Sequence, residues 1–430
     1  MSILRTSVLA LVVAAGPLAA KPLVTSSEET LARICLARTE SPDRIVAACD
    51  AALTDAALTP AQRVELTVAR GDGLSWQGEH EAGASSYRAA TQLDPRSIDA
   101  WNGLGWALWE LQDDAAAYEA FSTSLSIDVS VQGLSGTAGT GRRTGKVDAE
   151  EARERLRAAL SIDPEYIWAL RELGWSLFDA QDFQGAAEAF EGALRIDPDD
   201  VNARFGLGRT KIGLNDNEAA LTAFNDLLAD APGDFATEVY RIIALRNLDR
   251  NAQALRESER MIAAYPDRAS GYIEKGLSLM ALQRRSEAID TYREADARLG
   301  PNNAILYWYA DALTVDGRFL EALAVIDRGL ALDGADHTDH LMKSYIALEL
   351  KDFETARAAA ENCLATGVND PWAHYYIAIA LVHDGHAAEG LERFGRAITA
   401  GLPADRIGAF ATELVSAGKY VEAAQLRLKY

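Results

Sequence analysis

Between residues 183 and 198 the chain places Ala186, Ala189, Phe190, Ala193 and Leu194 at helical spacing, then stops at Ile196-Asp197-Pro198. Steps of three and four residues put those side chains on one face of a helix. Proline cannot extend the helix, so it marks the stop. The same setting recurs as Leu93-Asp94-Pro95 and Ile162-Asp163-Pro164. Pro95, Pro164, Pro198, Pro232 and Pro266 are separated by 69, 34, 34 and 34 residues. Upstream of each stop lies a second helical stretch, with a polar turn such as Ala180-Gln181-Asp182 between. Each period is therefore a helix hairpin, and such repeats stack into an array.

The residues within the period sharpen this picture. Trp101, Leu104, Gly105, Ala117 and Phe121 recur in register as Leu173, Gly174, Ala186, Phe190, Ala193 and Pro198, then as Leu207, Gly208, Ala220, Phe224 and Pro232. Tyr272, Gly276, Ala288, Tyr292 and Ala295 keep the register, and Ala254, Ala322, Ala356 and Ala423 open the second helix of other units. This pattern resembles the tetratricopeptide repeat. The resemblance implies an all-α fold, a right-handed α-solenoid of about twelve stacked hairpins covering residues 26–430.

Two units depart from the pattern. At 235–268, Ile242 replaces the usual glycine and Ser258 the usual phenylalanine, which predicts looser packing. Residues 130–148 hold five glycines, each costing about 1 kcal/mol in a helix relative to alanine. The first helix of that unit is expected to be a flexible loop, with its second helix running from about Ala149 to Ser161. The expected organisation is a signal peptide at 1–20, a first array at 21–130, the glycine-rich loop at 131–148 and a second array at 149–430.

The signal-peptide reading rests on Arg5, the uncharged run Val8 to Ala20, and small residues before a cut after Ala20. Thirteen residues are too few to span a bilayer, which needs about twenty, and no later segment is apolar enough. The expected location is across the inner membrane, in the periplasm of a Gram-negative bacterium. There Cys35 and Cys49, on the two helices of the first hairpin, are expected to form a disulfide, with Cys363 a buried free thiol. With 64 acidic against 42 basic residues the formal charge is −22, which repels nucleic acid and anionic membrane surfaces.

Candidate chemistry is sparse. Gly145-Lys146 suggests a phosphate loop, but Thr140 and Val147 stand where glycine and Ser/Thr are needed, and no strand precedes. Five of the six histidines fall between His337 and His386; His340 and His374 hold equivalent places, without the further ligands a metal needs. No catalytic constellation, metal or cofactor is expected. In the family that the chain resembles, positions 2, 5, 9 and 12 of each unit line a groove. Those positions hold Trp106, Trp109, Trp168, Arg171, Trp175, Phe178, Phe205, Arg209, Arg246, Tyr307, Leu341, Tyr345, Trp372 and Tyr375. The family's Lys- and Asn-based carboxylate clamp is absent from them. The function expected is a non-enzymatic scaffold that binds an extended peptide or partner protein, with arginines orienting acidic or carbonyl groups. Alternatives are a structural envelope element that self-associates into homo-oligomers, or a regulatory subunit of an envelope enzyme.

Overall fold

A computed structural model describes residues 26–429 except 333 and 335; the signal-peptide reading lies outside these. Among the described residues there are twenty-four helices and no strands, from α1 (Ser26–Ala37) and α2 (Pro42–Ala52) to α23 (Arg406–Ser416) and α24 (Tyr420–Lys429). They pair in order as twelve hairpins, so the chain is an α-solenoid. It divides into two compact units, one ending at Gly206 and the other running from Leu207.

The turn inside most hairpins is built by two adjacent residues; two residues intervene between Arg38 and Ser41 and between Gly145 and Asp148. One takes a left-handed backbone and ends the first helix: Gln112, Gln181, Asn215, Asp249, Gln283 and Lys351 do so with φ between 56° and 61°, and Gly78, Gly145, Gly317, Gly385 and Gly418 take the same place. The next residue starts the second helix. Asp113, Asp148, Asp182, Asp216 and Asp352 accept a backbone N–H with their side chains there, satisfying an otherwise orphaned donor. Arg250, Arg284 and Arg318 hold this place without a side-chain cap.

Between hairpins the packing rests on pairs of glycines around one aromatic ring. Phe190, fully buried on α10 (Phe183–Ile196), lies between Gly174 of its own hairpin and Gly206 of the next. A methyl group would stand 2.8 Å from Phe190 at Gly174 and 2.5 Å at Gly206. Tyr87 is held by Gly71 and Gly103 in the same manner, and Phe121 by Gly105 and Gly136. In the hairpin of α13 (Phe235–Asn247) and α14 (Asn251–Ala264) the bulk is exchanged instead. Ile242 and Ser258 are both fully buried, and the Ser258 hydroxyl donates to the Ala254 carbonyl at 2.7 Å. The looseness expected there is not visible as exposure.

Residues 131–143 correct the sequence reading. They form helix α7 (Val131–Arg143), capped by the Ser130 side chain, and not a loop. Gly136 admits the Phe121 ring, and Gly141 admits Val147 and Tyr118, with the Val147 methyl 2.5 Å from where an alanine Cβ would sit. The glycines that weaken the isolated helix are the ones that let it approach its neighbours, so packing offsets the propensity cost. α7 packs on α6 (Asp114–Ile127) and on α8 (Ala149–Ile162), so no gap divides the array at 131–148.

Candidate functional site

In the first unit the expected groove residues come from α5 (Ile98–Glu110), α9 (Ile167–Asp179) and the start of α11 (Val201–Gly213). The structure brings most of them together. Trp106 lies 6.0 Å from Trp109 and 4.8 Å from Trp168 between ring centroids, and Trp109 lies 6.4 Å from Trp168, all edge to face. That geometry suits the ring quadrupoles. The indoles of α5 and α9 meet because α7, between them in sequence, presents glycine: a methyl at Gly139 would stand 2.7 Å from the Trp168 Cη2. Farther along α9, Trp175 lies 5.9 Å from Phe178 and 6.3 Å from Phe205. Its indole N–H donates to Asn202 at 2.8 Å. All six rings remain half-buried. Trp76, which sequence spacing leaves outside the set, is 54% exposed.

The basic residues in the last turn of α7 and just after it have acidic partners. Arg143 donates twice to Asp114, at 2.8 and 2.7 Å, and its guanidinium lies 5.6 Å over Trp109. Arg142 pairs with Asp179 at 2.8 Å, and Lys146 with Glu119. Close by, burial holds the Glu172 carboxyl above its usual range, against the pull of Arg143, Arg142 and Arg171. The arginines expected in the groove also have internal work. Arg171 binds Asp200 at 2.8 Å, Arg246 reaches Glu274 at 3.4 Å, and Arg209 lies 4.7 Å over the Tyr240 ring. Each of the three thus has a partner within the fold.

In the second unit the set is more scattered. Tyr307 on α17 (Asn303–Val315) is half-buried, edge-on to Trp308 at 5.2 Å. Tyr345 is exposed and lies 6.1 Å from Tyr376, which lies 6.1 Å from Trp372. Arg406 covers Trp372 at 5.0 Å. Leu341 packs against the core formed by Ala360, Cys363 and Ile377. Tyr375 is corrected from groove to core: it is 6% exposed and sits 6.1 and 6.2 Å from Phe394 and Phe410. Its neighbour Tyr376 is the half-buried ring at that place, one residue from where the family spacing points.

Asp311 is the residue that a search for aromatics overlooks, although it holds position nine of its unit. Its half-buried carboxylate has no hydrogen bond or ion pair among the described residues, and burial raises its pKa above 3.8. Among the described residues no three His, Cys, Asp or Glu side chains converge on a metal position, and no helix is long and apolar enough to cross a membrane. Cys35 and Cys49 stand at disulfide distance, with Cα atoms 4.9 Å apart. Cys363 is a buried free thiol.

One tetratricopeptide repeat model matches residues 68–128, 147–201 and 273–337, and a second matches 177–245, together just over half of the chain. The chain belongs to the tetratricopeptide repeat family. The fold of yeast Tom70 is similar, with a TM-score of 0.52 at 14% identity over 94% of this chain and 96% of that one. A tetratricopeptide repeat protein from Parabacteroides merdae aligns at 19% identity over 58% of this chain and 98% of its own, with a TM-score of 0.42. The Cut9–Hcn1 assembly of the APC/C aligns at 13% identity over 94% and 86%, with a TM-score of 0.44. No curated protein matches the chain. The fold is that of a protein–protein interaction scaffold, in a family whose members are generally non-enzymatic.

Proposed function

We propose that the chain is an extracytoplasmic scaffold that holds an extended polypeptide segment against the aromatic side chains of its first helices. The observation that carries this reading is the run of Trp106, Trp109, Trp168, Trp175, Phe178 and Phe205, kept half-exposed on helices whose other faces are core. Large rigid rings offer apolar contact at low entropic cost and dominate binding energy at interfaces. The arginines there are already engaged, and the chain carries a charge of −22. The best complement is therefore an apolar segment carrying lysine or arginine. Peptides selected from a random display library on the full chain test this. Trp109→Ala should weaken their binding about tenfold or more, and enrichment should favour basic over acidic sequences. A library that yields no binder, or binders indifferent to Trp109→Ala and Phe178→Ala, would overturn the reading.

Export is supported by the Val8 to Ala20 run and by the spacing of Cys35 and Cys49. Residues 1–25 fused to a reporter that is active only outside the cytoplasm should give activity in a Gram-negative host; an inactive, uncut fusion would refute export. A second reading, self-association, is favoured by the last hairpin, where Tyr420, Val421 and Leu428 are 68, 67 and 88% exposed. Sedimentation that depends on concentration, and ceases with Leu428→Glu, would establish it.

A further inference from the structure

Away from the aromatic face, two adjoining cavities lie among α20 (Phe353–Ala365), α21 (Pro371–His383) and α22 (Ala387–Thr399). The smaller, about 280 Å³, is lined by Arg357, Glu361, Glu389 and Arg393 above the apolar floor of Ile377 and Leu381. The larger, about 630 Å³, includes Asn369, His374 and Gly395, and the two share Glu392 and Arg396. Two of the three carboxylates here are taken by arginines. Glu361 pairs with Arg357 at 3.4 Å, Glu392 with Arg396 at 2.7 Å, and Glu389 faces His386 at 3.5 Å. Arg393 is left over: among the described residues no carboxylate lies within ion-pair distance of it.

What does hold Arg393 is a histidine. His374, 7% exposed, donates from Nε2 to the Asn369 side-chain oxygen at 2.8 Å, and its Nδ1 stands 3.3 Å from the Arg393 Nη1. A guanidinium has only donors, so Nδ1 accepts there and the ring is the neutral Nε2–H tautomer. Burial, Arg393 and Arg396 all lower the His374 pKa, in keeping with that form. Burial and Arg396 lower the Arg393 pKa, against the opposite pull of Glu361 and Glu392. Arg284, Arg318 and Arg328 are raised by the carboxylates they bind. One N–H of Arg393 is thus fixed by a neutral ring, and the remaining donors of a planar fork border a cavity.

We propose that this cavity binds one small oxyanion, a carboxylate or a phosphate-like group, on the Arg393 guanidinium, with His374 as its positioning residue. A guanidinium meets such a group with two parallel hydrogen bonds, which a point charge does not. The site is independent of the aromatic face, and neither reading depends on the other.

Isothermal titration of the full chain with sulfate and with benzoate tests this, because neither anion changes protonation near neutral pH. Saturable one-to-one binding in the millimolar range is expected, tighter for benzoate if the natural ligand is a carboxylate with an apolar body and tighter for sulfate if it is phosphate-like. Arg393→Met should weaken binding about tenfold or more and Arg393→Lys less. His374→Leu should weaken it as well, and His374→Gln, which keeps an acceptor, should restore most of it. Should Arg393→Met fail to fold, Gly395→Asp, which sets a carboxylate in the adjoining cavity two residues along the same helix, should weaken binding in its place. No saturation up to about 20 mM of either anion, or binding untouched by these changes, would overturn the proposal.

Discussion

A single methyl group decides whether Phe121 and Phe190 keep their places. Overpacking a close-packed core costs about 1–3 kcal/mol, whereas the same glycine-to-alanine change in an unpacked helix gains about 1 kcal/mol. The two effects have opposite signs, so Gly136→Ala discriminates. On α7 packed against Phe121 it should destabilise the chain in urea denaturation, and as part of an unpacked segment it would be neutral or stabilising. Asp311 illustrates the electrostatic counterpart. Burial raises its folded pKa above the unfolded value of 3.8, so the folded chain holds that proton more tightly. Below about pH 3 both states are protonated and nothing is lost; as pH rises through the folded pKa, the folded state alone carries the cost of a desolvated charge. Asp311→Asn should therefore raise the melting temperature at neutral pH, with no gain near pH 3. Equal effects at both pH values would rule out the electrostatic account.

At the level of the element, the hairpin turn sets a repeated cost. A side chain in the left-handed region costs about 1–2 kcal/mol that glycine avoids. Gln283 is in that region with φ 61°, and Gly317 occupies the equivalent place in the next hairpin. Gln283→Gly should stabilise the chain by about 0.5–1 kcal/mol and Gly317→Ala should destabilise it by a similar amount, both read from thermal unfolding. This repetition made the fold legible in the sequence, because prolines, caps and small residues mark helix ends by local rules. α7 was not legible for a physical reason: Gly133, Gly136, Gly139 and Gly141 look like a helix breaker until Phe121, Trp168 and Val147 are placed against them. Tyr375 was misread because a shift of one residue on a helix turns a side chain by about 100°, from surface to core. His374 and Arg393 sit 19 residues apart, and their hydrogen bond has no sequence signature.

For the molecule as a whole, chemistry at three cysteines tests both fold and compartment. Burial pushes the Cys363 thiol up to about 11, so little thiolate forms at neutral pH and a thiol reagent has no ready target. Protein recovered from an oxidising compartment should show no fast-reacting thiol when native, one when unfolded and three when unfolded and reduced. Two or more thiols in the native, unreduced chain would refute the Cys35–Cys49 bond. The chain divides into its two compact units between Gly206 and Leu207, within α11, and not at residues 131–148. Trypsin should accordingly find Arg142 and Arg143 protected by helix and by Asp179 and Asp114, and early cutting there would contradict α7.

The contact of Trp106, Trp109 and Trp168 has an optical consequence. Chromophores 4.8–6.4 Å apart and nearly perpendicular couple their electronic transitions and exchange excitation before they emit. The native chain should accordingly show an exciton signal in circular dichroism and depolarised tryptophan emission, and both should weaken when any one indole leaves. Because α5 and α9 supply the rings and only a helix of glycine lets them touch, that signal gauges the stacking of three successive hairpins, without a label and in the unmodified protein.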